Sequence, residues 1–123
     1  MTVHDRTILI AGGDTQGQAR LAAPLAAAGY AVALATGADA PALVSRTYPD
    51  AVVLDVTQLA PEAAVALVRA MRAVTVRPLL VLVAPHDGET GPAALDAGAD
   101  DFLRPPVVAP ELRARLKALL RPR

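Results

Sequence analysis

Two stretches of the chain carry groups that could do chemistry. Asp55 closes the apolar run Ala51–Leu54, and a carboxylate at such a place can accept hydrogen bonds, ligate a hard cation or act as a nucleophile. Gly12-Gly13-Asp14-Thr15-Gln16-Gly17 follows the run Thr7–Ala11. A glycine-rich turn between a strand and a helix offers backbone amides to an anion. The spacing is neither G-x-G-x-x-G nor a P-loop, because the Lys-Ser/Thr end is missing. A small anion or ligand in the turn therefore stands against a simpler role, a tight turn in which Asp14 caps the following helix. His86, Asp87 and Glu89 share an exposed glycine-containing loop and are read as polar residues facing water in place of a metal cluster. His4, on the N-terminal tail, carries no signal.

Composition narrows the classes. The 123 residues suit one domain with one core and exclude a multidomain enzyme. Lys plus Arg equals Asp plus Glu at 12 each, which argues against whole-protein attraction to nucleic acid or membrane. The absence of cysteine excludes thiolate metal sites, thiol nucleophiles and a disulfide scaffold. Aromatic residues make up only 2% of the chain against 54% hydrophobic, so the core is aliphatic. Neither a secretory signal nor an apolar stretch of membrane-spanning length is found, and the expected location is the cytoplasm.

The elements that position those residues follow from periodicity. Thr7–Ala11, Val32–Ala35, Ala51–Leu54, Leu79–Val83 and the weaker Asp101–Leu103 read as strands. Apolar residues on consecutive positions indicate strands covered on both faces, hence a parallel sheet between helix layers. Helical patterns run from about Gln16 to Ala28, with Pro24 inside and Gly29 at the end, from Pro61 to Val74, and from Pro110 to Leu120. A fourth helix before Gly98 is limited to one or two turns by Gly88, Gly91 and Pro92. The expected fold is a single α/β domain over 1–123, with its core at about 6–120. Its flavodoxin-like, doubly wound parallel sheet of five strands has the order 2-1-3-4-5 and helices on both faces. In such a sheet the functional crevice lies at the carboxyl ends of strands one and three, where the winding reverses. That places Gly12, Gly13 and Asp14 opposite Asp55 to Gln58.

From about Arg6 to Leu120 the sequence resembles the receiver domain of two-component response regulators. The resemblance rests on Tyr48-Pro49-Asp50-Ala51-Val52-Val53-Leu54-Asp55 and on Leu95-Asp96-Ala97-Gly98-Ala99-Asp100-Asp101-Phe102-Leu103. It implies that Asp55 stands at the phosphoacceptor position. In the family, two acids after the first strand and the acceptor hold a divalent cation, while a Thr or Ser and a Lys bind phosphoryl oxygens. The matching positions here are Gly12 and Gly13 for the acids, Val83 for the hydroxyl, Pro105 for the lysine and Phe102 for the aromatic switch residue. Asp14 is the remaining carboxylate nearby and could approach a metal only if the loop bulged. The family has a cis bond before the proline that matches Pro106.

The departures agree with one another and imply an atypical, degenerate receiver. It would act by protein–protein interaction and would need no cofactor, with Asp55 hydrogen-bonded to its own loop or to the Gly12-Gly13 turn. Two alternatives stand beside this: a phosphorylatable receiver in which Asp55 accepts the phosphoryl group with Mg²⁺, and a small-ligand sensor using the glycine-lined crevice. Enzymatic activity is not expected. Since no effector domain is expected after Arg123, output passes through a partner, a kinase or downstream regulator, or through self-association. Related receivers dimerise through helix four, strand five and helix five, which here brings in Asp100, Asp101, Arg113, Arg115 and Lys117. With Arg121 and Arg123, the three bases of that set place five basic residues at the C-terminal end. Bases there also complement a helix dipole, so nucleic acid is not the expected partner.

Overall fold

A computed structural model describes residues 6–122; His4 and Arg123 lie outside the described residues. Strands and helices alternate along the chain. They are β1 (Thr7–Gly12), α1 (Thr15–Ala27), β2 (Ala31–Ala35), α2 (Ala40–Thr47), β3 (Ala51–Asp55), α3 (Pro61–Val74), β4 (Leu79–Leu82), α4 (Thr90–Asp96), β5 (Asp101–Leu103) and α5 (Ala109–Leu119). All neighbouring strands pair in parallel, in the order β2-β1-β3-β4-β5. This is the flavodoxin-like arrangement expected from the sequence. No helix among the described residues is long and apolar enough to cross a membrane.

Alternation within each strand splits the core into two layers. Leu9, Val52, Leu54 and Val81 face Val44, Val68, Met71 and Ala94 on the side of α2, α3 and α4. Ile8, Ile10, Val53 and Leu80 face Leu21, Leu25, Leu112 and Leu116 on the side of α1 and α5. Successive strand residues point to opposite faces, so both must be apolar when helices cover both faces. Helix α1 runs through Pro24 without interruption, and α4 is the short helix expected, with Gly91 and Pro92 inside it.

Polar side chains tie the strand entrances. Asp50 accepts from the Thr7 amide at 2.7 Å and Asp100 from the Leu79 amide at 2.8 Å, so each carboxylate anchors the start of a neighbouring strand. Arg72 of α3 extends the second anchor. It donates to the Gly98, Thr75 and Arg77 carbonyls at 2.8, 3.0 and 3.0 Å and pairs with Asp100 at 2.9 Å. Arg72→Ala is expected to lower stability by about 1–2 kcal/mol, since charge-assisted hydrogen bonds are lost at a half-buried site. Arg72→Lys should recover only part of this, because an ammonium lacks the planar fork. Urea denaturation of the two variants checks the ordering.

Candidate functional site

Strand register brings the two nominated loops together: Gly12, the last residue of β1, pairs with Asp55, the last of β3. The half-buried Asp55 carboxylate is held by its own loop. Its Oδ1 accepts from the Thr57 amide at 2.9 Å and from the Thr57 hydroxyl at 2.6 Å. Of the two hydrogen-bonding arrangements expected for Asp55, this is the first; no bond from the Gly12-Gly13 turn is present among the described residues. The Asp-x-Thr spacing is a local side-chain-to-backbone pattern that could have identified Thr57 from sequence.

The glycines do more than omit carboxylates. Gly12 has φ +83° and Gly13 φ +70°, a region that L-residues rarely adopt. A Cβ on Gly12 would overlap the Asp55 carbonyl oxygen, and one on Gly13 would stand 2.5 Å from Asp55 Oδ2. The β1–α1 backbone is thus drawn in against Asp55. Gln18 holds it there, its side-chain amide donating to the carbonyls of Gly12 at 3.1 Å and Ala35 at 2.8 Å. Nothing in the sequence pattern singles out Gln18. Asp14 caps α1, accepting from the Gly17 amide at 2.6 Å. Its carboxylate is directed to the helix end, as the simpler sequence reading has it.

The other family positions are placed as follows. Val83 is wholly buried and its amide donates to the Leu103 carbonyl at 3.0 Å, so no hydroxyl faces the crevice from β4. The Pro105–Pro106 bond is cis, and both prolines line the crevice on its α1 side. The Phe102 ring packs half-buried against the α3–α4 layer of the core, with the Arg104 guanidinium 5.1 Å from its centroid. Among the described residues no group of three His, Cys, Asp or Glu side chains converges to hold a metal. The set Asp55 and Asp14 does not fit Mg²⁺, which demands near-octahedral oxygen coordination.

Asp87, read from sequence as loop surface, has a structural duty at the entrance to α4. It accepts from the Glu89 amide at 2.8 Å, the Thr90 amide at 3.1 Å and the Thr90 hydroxyl. The Thr90 hydroxyl above all, then the two amides, holds this carboxyl below its ordinary value. On the α4–β5–α5 face, Asp101 pairs with Arg115 at 3.0 Å, and Arg115 reaches Glu111 at 3.6 Å. The Asp101 carboxylate accordingly raises the Arg115 guanidinium further above its usual value. The Asp100 carboxylate, also assigned to this face from sequence, is engaged within the chain by Arg72 and the Leu79 amide on the α3 side. Arg113 and Lys117 form no ion pair among the described residues.

Comparison with known proteins gives relatives of one kind. No family model matches the chain. It is 40% identical over 123 residues to the transcriptional regulatory protein PrrA of Mycobacterium leprae, covering 98% of this chain and 52% of that protein. To the response regulator MprA of Mycobacterium sp. (strain KMS) it is 40% identical over 116 residues, covering 93% and 50%. The chain therefore spans about half the length of the curated relatives it matches. Among solved structures, a candidate response regulator from Chloroflexus aurantiacus superposes with a TM-score of 0.78 at 30% identity, covering 95% of this chain and 98% of that one. The receiver domain of TorR, response regulator of the TMAO respiratory system, gives 0.83 at 28% identity, covering 94% and 96%.

Proposed function

The chain belongs to the receiver-domain family of two-component response regulators, and from the glycine loop packed on Asp55 we propose that it signals by protein–protein contact, with Asp55 as a fixed carboxylate and without Mg²⁺-dependent phosphorylation. The observation that carries this reading is the Gly12-Gly13 backbone, turned at positive φ onto Asp55, in the place where the resemblance calls for two carboxylates. Phosphoryl transfer to a carboxylate is catalysed almost wholly by positioning and by cations and donors aimed at the phosphoryl oxygens. Val83 offers no donor and Pro105 no charge. One such contact is typically worth about 3 kcal/mol. Losing three or four, with strong non-additivity, slows transfer by roughly ten-thousandfold or more. No catalytic role is assigned to the chain, and a kinase or downstream regulator is its expected partner. A homodimer built on α4, β5 and α5 would draw on Arg113 and Lys117, because Asp100, Asp101 and Arg115 are paired within the chain.

The names of the relatives favour a second reading, in which Asp55 is a phosphoacceptor as in an ordinary response regulator. Incubation with Mg²⁺ and acetyl phosphate, followed by intact-mass measurement, separates the two. The expected result is an unchanged mass. A phosphoryl adduct that disappears in Asp55→Asn would overturn the phosphorylation-free reading and establish the second.

A further inference from the structure

Half of the Asp55 carboxylate is unused. Thr57 takes Oδ1 through two hydrogen bonds, whereas Oδ2 receives none among the described residues. Its neighbours on the β1–α1 side are two glycines: a Cβ on Gly13 would stand 2.5 Å from Oδ2 and one on Gly17 4.0 Å from it, so no side chain from these positions covers the oxygen. Asp55 lines a cleft of about 350 Å³ between α1 and residues 105–112, a size within the range of small-ligand sites. One wall is apolar, formed by Leu21, Pro24, Pro105, Val107 and Leu112. The charged lining consists of Asp14, Asp55 and Arg20, two carboxylates against one guanidinium, and Asp14 is held at the α1 cap through its Oδ1.

We propose that this cleft binds a monovalent organic cation, a primary ammonium or guanidinium on an apolar stem, with the head at Asp55 Oδ2 and the stem along the proline and leucine wall. The inference rests on the phosphorylation-free reading of Asp55. Two carboxylates and one guanidinium leave the lining with one net negative charge, and Asp55 forms no ion pair among the described residues, which matches one positive charge on the ligand. It does not match a hard divalent ion, which needs a full oxygen shell. A charge-assisted hydrogen bond at a half-buried carboxylate is among the strong ones, and the apolar wall removes water from the stem. An anion in the same place would meet the Asp55 charge. The shared chemistry has two sources, a free amine or a Lys or Arg side chain of a bound protein.

Amide NMR titration of the chain with butylammonium, phenethylammonium, capped arginine and capped lysine, against butanol as the neutral control, tests the inference. The expected result is saturable shifts at Gly13, Gly17 and Thr57 with the cations, and butanol at least about tenfold weaker. Asp55→Asn should weaken cation binding by about tenfold or more while the circular dichroism spectrum is kept. Pro105→Lys, which gives the carboxylate an ammonium of its own, should weaken it as well. Tighter binding of the simple amines than of both capped arginine and capped lysine points to a free ligand, and the reverse order to a partner's side chain. Saturable binding by none of the cations, butanol binding as well as butylammonium, or a titration unchanged in Asp55→Asn would overturn the inference. Any of these leaves the mass experiment above untouched, just as a phosphoryl adduct there would refute the reading of Asp55 without altering the titration.

Discussion

Gly12→Asp, which restores an acid at the first of the two family positions, is expected to destabilise the fold by about 2–5 kcal/mol and to confer no phosphorylation. An L-residue forced into the left-handed region costs about 1–2 kcal/mol, and overpacking adds about 1–3 kcal/mol. At Gly12 both apply, since φ is +83° and the new Cβ would overlap the Asp55 carbonyl oxygen. That oxygen is backbone in β3, a central strand paired with β1 on one side and β4 on the other, so it cannot move without opening the ladder. Gly13→Asp should be milder. Its overlap is with Asp55 Oδ2, the end of a side chain that can turn, and aspartate is better tolerated at positive φ than most residues. Urea denaturation of the two variants gives the order directly, and a larger loss for Gly13→Asp would contradict this account of the loop. The wider consequence is that the acid pair cannot be reinstated residue by residue, because a Cβ at either glycine would meet Asp55.

How far the sequence alone reaches can be judged residue by residue. Ala51–Leu54 and Leu79–Leu82 are legible as buried strands because helices on both faces demand consecutive apolar residues. Strand order then places Asp55 at the crevice. Helix α2 is less legible, since its buried ridge is only Ala40 and Val44, too few positions for a period to register. At the site, composition reveals what Gly12 and Gly13 lack. It does not reveal their positive φ, nor that Gln18 ties the loop to Ala35 of β2. Asp14 as a cap follows from its place one residue before the helix. Asp100 and Asp101 are distinguishable by their adjacent positions in the sequence. Successive residues entering a strand point to opposite faces, so Asp101 shares a face with Leu103 and meets Arg115 of α5. Asp100 shares the face of Phe102 and meets Arg72 of α3.

Gly91→Val is expected to cost about 1–3 kcal/mol, against the sign that helix propensity alone would give. In an exposed helix interior valine is slightly better than glycine, and from sequence Gly91 and Pro92 read as an interruption of the fourth helix. In the structure Gly91 is buried inside α4, directly against the Phe102 ring. A Cβ there would lie 2.6 Å from Cζ and 2.8 Å from Cδ1 of that ring. A ring is rigid, so it must leave as a unit, giving up its packing on the α3–α4 layer and its place beneath Arg104. Overpacking of this kind costs about 1–3 kcal/mol, and the propensity gain of a few tenths of a kcal/mol does not offset it. If the ring is the cause, the penalty must depend on it. In a double-mutant cycle, Gly91→Val in a Phe102→Ala background should cost less than in the parent, with a coupling of about 1–3 kcal/mol. Denaturant midpoints of the four proteins measure this coupling. Additive penalties, or a parent stabilised by Gly91→Val, would show that the glycine serves the backbone of α4 and not the seat of Phe102.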